Sequence, residues 1–383
     1  MKKLLTISLL ALLAACGGKE SDSTEQKNIL ENLTYTVDTV VVDAGEDFIN
    51  LGFGLGSFDL TSDKSQLLFF QSKPLMLVTA DLDELKILSK AEFETEGPNS
   101  VGAYTRGLKV GPSGEIFIKG YNGQGIFTPD GAMTENLRFF PEGLDPDYAN
   151  DFIKVYGGGI YDFGSNKFYT QPYGEIEKLN ELWVIDPVSK SFKSYPIPKM
   201  KSVRDSEITL TQKSDQGTTM NYFGPSAYMD MENGQLLISA GTMSGVYTLD
   251  LEADSVKFID ITHQTVPNEW NITVMNESSN EAGFMEDRRK IAEQLNFMDF
   301  KWDETRQMYL RFGKKTFFGE NRADPPTYEL YLFAYDKDFN VLGETKLESI
   351  KTIPISYFFK DGKLYSYVNV DDELGFVVFT FDF

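Results

Sequence analysis

From residue 33 onward, apolar residues fall in short runs separated by turn residues, the pattern of strands rather than helices. The clearest stretch is 231–261. Asn233-Gly234 makes a turn, residues 235–239 a strand, 245–250 a second strand, and 255–259 a third after a turn at Glu252-Ala253-Asp254. Similar turn–strand units follow Ser65, Gly114, Asn166, Arg306 and Gly362. They lie about 50 to 70 residues apart, close to the roughly 40–50 residues of a four-stranded propeller blade with longer loops. An all-β propeller of six blades is therefore expected, with a seven-bladed ring or a pair of β-sandwiches as alternatives. The last unit has room for only three strands, near 355–360, 363–368 and 375–382. Residues 33–42 (LTYTVDTVVV) can supply the fourth. That pairing would close the ring and cover two strand edges that otherwise invite aggregation.

One segment breaks the strand pattern. In 278–296 (SSNEAGFMEDRRKIAEQLN), Phe284, Ile291 and Leu295 recur at helical spacing, with Ser279 or Asn280 placed to cap. A single helix inserted between the fourth and fifth blades is expected, as a packed connector.

The first residues are of another kind. Lys2 and Lys3 precede an apolar run over 4–13, followed by Ala14-Ala15-Cys16. This is the layout of a secretory signal, and the run is shorter than the ~20 residues that span a bilayer. Leu13-Ala14-Ala15-Cys16 resembles the bacterial lipobox. That resemblance implies cleavage after residue 15 and acylation of Cys16, which would hold the protein to a lipid bilayer; two or three chains anchor firmly where one does not. Cys16 is the only cysteine, which excludes internal disulfides and cysteine-ligated metals. Residues 16–32 read as a flexible, polar tether, and 33–383 as a single propeller domain. Gly17 stands where aspartate would resemble an inner-membrane retention signal, so an outer-membrane location is expected. Lys19-Glu20 is similar to the short charged signal that sends lipoproteins to the cell surface in Bacteroidetes.

Composition narrows the partners. Lys and Arg number 36 against 58 Asp and Glu, a net charge of −22. Such a surface repels phosphate backbones and excludes nucleic acid as a partner. The 30 Phe and 19 Tyr agree with a strand-rich fold.

Three stretches, 302–312 (WDETRQMYLRF), 328–344 (YELYLFAYDKDFNVLGE) and 361–381 (DGKLYSYVNVDDELGFVVFTF), resemble the Bacteroidetes lipoprotein family called domain of unknown function 4221. The resemblance implies a propeller-like fold and a cell-envelope location. It carries no activity, because the shared motifs are blade signatures.

Candidate chemistry is sparse. His263 is the only histidine, so multi-histidine metal sites are excluded, and its place at a strand end favours a structural or surface role. Asp336, Asp338 and Asn340 resemble the start of a calcium loop, but Val341 and Leu347 stand where glycine and glutamate are needed, so a turn is expected. Asp145, Asp147 and Asp151 also read as a turn or loop. Gly157-Gly158-Gly159 lacks the Lys-Ser/Thr of a phosphate loop and reads as close packing near the ring axis. No metal, no cofactor and no catalytic residue is assigned. What remains is a binding face at the ring's mouth, where Tyr104, Arg106, Tyr156, Tyr222 and Tyr228 fall just before turn–strand units. The expected function is an envelope binding module for a protein or glycan. The alternatives are a hydrolase or lyase using channel carboxylates, and a structural or sensory part of a membrane complex.

Overall fold

Tight turns set the frame. Asn233-Gly234, Asp361-Gly362 and Asp371-Asp372 each place two successive residues at positive φ, the backbone that a two-residue antiparallel hairpin requires. In the computed structural model, which describes residues 27–46, 48–52, 54–120, 124–139, 141–144, 152–154, 159–171, 173–174, 180–319, 324–350 and 352–383, such hairpins build a succession of small antiparallel sheets. Strand accounts for 51% of the chain and helix for 7%, so the class is all-β.

Six of the sheets have four strands, each running from an inner strand outward in meander order. We number them one to six by their inner strands: Phe58–Leu60, Thr105–Val110, Gly159–Asp162, Ala227–Glu232, Asn296–Asp303 and Tyr357–Lys360. The fourth strand of sheet six is Thr34–Val41, paired antiparallel with Glu373–Asp382 from Thr34↔Asp382 to Val41↔Gly375. The chain's two ends thus share one sheet, as the sequence pattern anticipates.

The second strands read as continuous apolar runs because both of their faces are covered. In Gln66–Gln71, Leu67 and Phe69 pack with Phe358 and Phe376 of sheet six, while Leu68 and Phe70 pack with Ile116 and Ile118 of sheet two. The same alternation recurs. Phe117 meets Phe168 and Trp183, Tyr169 meets Ile238, Leu237 meets Phe297, and Leu310 and Phe312 meet Tyr357 and Phe359. Every consecutive pair of four-stranded sheets shares an aromatic-rich core, including six with one. None of these sheets buries both faces alone, so each depends on its neighbours. Gly159 shows how tight the packing is within sheet three: a Cβ there would lie 2.5 Å from the ring of Phe168 on the adjacent strand. Gly157 and Gly158 lie outside the described residues.

Three departures from the sequence reading follow. Residues ahead of 33 already pack on the sheets. Asn28 exchanges hydrogen bonds with the Glu344 backbone (Nδ2 to O, 2.9 Å; N to Oδ1, 3.0 Å), and Leu30 is fully buried between sheets five and six. Apolar Ile29 and Leu30 within the last tether residues explain why. Second, a hairpin that the pattern did not announce, Ile208–Ser214 with Gly217–Phe223, stands between sheets three and four and joins Glu277–Ser278 in a separate three-stranded sheet. Third, Phe152–Lys154 and Tyr173–Gly174 pair in a further two-stranded sheet.

The helix Glu281–Ala292 is where helical spacing placed it, capped by Asn280, whose side chain accepts from Ala282 N (3.0 Å). Phe284 and Ile291 pack on Ile208 and Leu210 of the hairpin. Arg288 stacks over Phe223 and Phe318. These insertions gather near Asn296, the start of the sheet-five inner strand. At its other end, Arg306 donates to Gly362 O and Phe381 O (2.6 Å each), next to Thr34. The chain therefore enters the domain at one end of the strands, and the insertions stand at the other.

Candidate functional site

The inner strands carry a different pattern from the rest. Four of the six set charged residues among apolar ones: Asp59 in Phe58–Leu60, Lys109 between Leu108 and Val110, Asp230 and Glu232 about Met231, Asp299 and Lys301 about Phe300. Strand alternation sends the two kinds to opposite faces. The apolar face packs back on the preceding sheet: Phe58 and Leu60 on sheet six, Met229 and Met231 on sheet three. The charged face borders a cavity of about 930 Å³ whose wall includes residues of all six inner strands.

The charged groups engage one another across sheets. Lys301 Nζ donates to Asp230 Oδ2 (2.6 Å) and Glu232 Oε1 (3.0 Å) of sheet four and pairs with Asp299 Oδ2 (2.9 Å) of its own strand. Trp302 N donates to Glu232 Oε2 (3.0 Å), and Tyr357 OH of sheet six donates to Asp299 Oδ1 (2.8 Å). On the opposite side, Asp59 of sheet one accepts from Val110 N (2.8 Å) and Lys109 Nζ (3.3 Å) of sheet two. Four carboxylates and two ammonium groups thus meet around the cavity, with 16% of the Lys301 side chain still exposed.

Their environments drive the protonation equilibria apart. Burial works against the Lys301 charge, but Asp230, Asp299 and Glu232 outweigh it and hold the ammonium well above its ordinary value. Burial also opposes the Asp230 charge, yet Lys301 and Lys109 win and hold that carboxyl low. For Glu232 burial prevails over Lys301, reinforced by Asp230, and its carboxyl is pushed up. Asp59 is likewise pushed up by burial in spite of Lys109. Burial, then the Asp299 charge, raises the Tyr357 hydroxyl well above its usual range. Neighbouring carboxylates with divergent proton affinities are the arrangement general acid–base chemistry uses. Here they share one lysine, which also suits a purely structural ion network.

Of the residues expected at the mouth, Arg106 lines the cavity. It also donates to the Tyr104 hydroxyl (3.1 Å), and Tyr104 is 43% exposed beside it. Burial, with the Arg106 charge in support, pushes the Lys119 ammonium down to about 8. Tyr228 stands on the same strand face as Asp230 and Glu232, and burial raises its hydroxyl. Tyr222 is elsewhere. It sits 61% exposed on the outer hairpin, because the segment before sheet four folds into its own strand pair instead of feeding the mouth directly. Tyr156 and Cys16 lie outside the described residues, as do Asp145, Asp147 and Asp151. The reading by position before each turn missed Asp59, Lys109, Asp230, Glu232, Asp299 and Lys301. The signal that could have found them is the recurrence of a charged residue flanked by apolar ones in the strand that opens four of the units.

The remaining candidates are structural. His263 is buried, with Nδ1 2.9 Å from Glu344 Oε2 and Nε2 3.1 Å from Tyr335 OH, amid Phe297 and Phe333. Asp336 accepts from Asp338 N and Asn340 N (2.9 Å each) and closes a turn. Among the described residues no cluster of His, Cys, Asp and Glu is arranged to hold a metal, and no helix is long and apolar enough to cross a membrane.

Comparison with known proteins follows the fold. A solved member of the domain of unknown function 4221 family from Bacteroides vulgatus is 14% identical, with a TM-score of 0.65 over 91% of this chain and 98% of that one. A Bacteroides fragilis protein named for its inferred export is 8% identical, with a TM-score of 0.51 over 91% and 95%. A β-propeller domain of Swd1 from Myceliophteria thermophila gives 0.42 at 8% identity over 91% and 99%. No curated protein matches the sequence. The family model itself matches residues 28–346, and the chain belongs to that family, the domain of unknown function 4221 (DUF4221).

Proposed function

We propose that this chain is an envelope lipoprotein, anchored to the outer membrane through Cys16, whose six four-stranded sheets form a six-bladed propeller that binds a protein or glycan ligand at its central cavity. The observation that carries the reading is the cavity of about 930 Å³, bordered by inner strands of all six sheets and set with charged side chains. That volume is at the upper end of small-ligand pockets, and its walls favour a polar occupant. The shared core between sheets six and one, together with the Thr34–Val41 pairing, supports closure of the ring. The chain enters at the strand ends occupied by Arg306 and Gly362, so a tether from residue 16 would leave the opposite end, with its hairpin and helix, facing away from the membrane.

A second reading has its own support. Asp230 and Glu232 lie within 3.0 Å of one ammonium beside a large cavity, with opposite displacements of proton affinity, which favours a hydrolase or lyase of the envelope.

The test is a glycan array and a surface pull-down from intact cells, run with the tethered protein and with Lys301→Met. The binding reading expects a ligand retained by the native chain and lost in the variant. A ligand bound equally by both overturns the assignment to the cavity. Product release from the captured glycan that stops in Glu232→Gln would move the assignment to the enzymatic reading. Cys16→Ser should leave the membrane fraction, and its retention there would refute the anchor.

A further inference from the structure

We infer that the outer edge of Gly217–Phe223 is a docking surface for a second copy of this chain, which adds its own Gly217–Phe223 antiparallel about a twofold axis at Met220. The surface belongs to the inserted hairpin and does not depend on the central cavity.

The edge is open. In its three-stranded sheet Gly217–Phe223 pairs on one side only, with Ile208–Ser214, and six of its seven residues are exposed. The two-residue turn closes on Ser214↔Gly217, a pair that exchanges both backbone bonds, and bonded pairs then alternate along the hairpin. Thr218, Met220 and Tyr222 therefore point their N–H and C=O groups away from the hairpin, and among the described residues nothing meets them.

The strand also lacks the protection that other edges carry. The outermost strands of the six four-stranded sheets each hold a charge: Lys86, Glu135, Lys193, Lys257, Lys346 and Asp38. Charges on an edge discourage strand addition. GTTMNYF has no charge and no proline, in a chain where charged residues make up 25%. Met220 and Tyr222 stand 50% and 61% exposed on one face of it.

Two features select a copy of this chain as the occupant. The first is self-complementarity. Turned about Met220, the strand sets Thr218 opposite the copy's Tyr222 and Met220 opposite Met220, so all three open residues of each copy are bonded at once. The net charge of −22 opposes self-association elsewhere, but no like charges meet along this edge. The second is charge. The same register brings the hairpin tip of one copy beside Phe223 of the other. Arg288 stacks 5.1 Å over that ring and pairs with no carboxylate among the described residues. The tip carries exposed Asp215, which pairs with no cation among the described residues. Symmetry makes this acid–arginine contact twice. A seven-residue strand is about 24 Å long and buries less than the ~800 Å² per partner of a standard interface, so the dimer is weak in solution.

The experiment is sedimentation velocity on the Cys16→Ser chain, which has no thiol to cross-link, over about 1 to 500 μM. A monomer–dimer equilibrium is expected, with a dissociation constant on the order of tens of micromolar. Met220→Lys sets two ammonium groups opposite each other at the axis and should weaken the dimer at least about tenfold. Asp215→Arg should weaken it at least about threefold, and it decides the matter if Met220→Lys does not fold. Met220→Cys in the same background should give a 220–220 disulfide between copies under mild oxidation. A chain that stays monomeric throughout the range overturns the proposal. So does a dimer that Asp215→Arg and a folded Met220→Lys leave unchanged.

Discussion

Lys301 and Arg311 are cations on adjacent strands of sheet five, and they live in opposite worlds. Arg311 is fully buried. Its guanidinium donates to the carbonyls of Met298 (2.6 Å), Ser244 (2.5 Å) and Ala240 (3.2 Å) and stacks on Phe297 and Phe300. Lys301 faces the cavity and divides its charge among three carboxylates. Arg311 ties sheet four to sheet five through buried contacts to neutral carbonyls. Lys301 holds a network that borders water-accessible space, whose partners an incoming polar ligand can exchange. A charged residue on these strands is thus assigned to structure or to binding by what it touches, not by its charge.

The comparison predicts unequal losses. Arg311→Met leaves three carbonyls without that donor in a dry interior and should cost about 4 kcal/mol, read as a large fall in the urea midpoint. A loss under about 1 kcal/mol would mean that the guanidinium is not the tie described. Lys301→Met should cost less, about 2 kcal/mol at neutral pH, because cavity water can resolvate the carboxylates. That deficit should shrink as pH falls and the carboxylates protonate. In the native chain the raised Lys301 value means its contribution is whole below about pH 10.5 and fades as pH climbs through the higher folded value.

Glu232→Gln sharpens the contrast further. Burial raises the Glu232 carboxyl, so its charge penalises folding above the ordinary value of 4.5 and the penalty vanishes below it. Glutamine keeps an acceptor for Trp302 N. The variant should therefore match or exceed native stability at pH 7, by up to about 1 kcal/mol, and lose that advantage at pH 4. A clear loss at pH 7 would mean that the charge itself holds sheets four and five together. The smallest effect belongs to the surface. Lys193→Ala breaks an exposed pair with Asp254 and should stay within about 0.5 kcal/mol in the same titration.

Legibility in the sequence follows the same division. Strands covered on both faces, such as Gln66–Gln71 and Gln235–Ala240, announce themselves as apolar runs between turn residues. The helix Glu281–Ala292 shows its period through Phe284 and Ile291. The pairing of Thr34–Val41 with the last strand could be inferred because the final unit was one strand short. The hairpin 208–223 could not, since ITLTQKS and GTTMNYF have little apolar patterning and the second strand is almost wholly exposed. That omission put Tyr222 at the mouth. The cavity charges were overlooked because one acid between two apolar residues is ordinary in any single strand; only its recurrence across inner strands marks a common face.

Everything about the cavity assumes that the two chain ends close the ring in one sheet. Thr36 and Thr380 are opposed in that pairing and both exposed. In a Cys16→Ser background, Thr36→Cys with Thr380→Cys should form an intramolecular disulfide under mild oxidation, with peptide mapping recovering the 36–380 link and the unfolding midpoint rising. Free thiols in a folded chain, or only intermolecular links, would show that the ends do not meet.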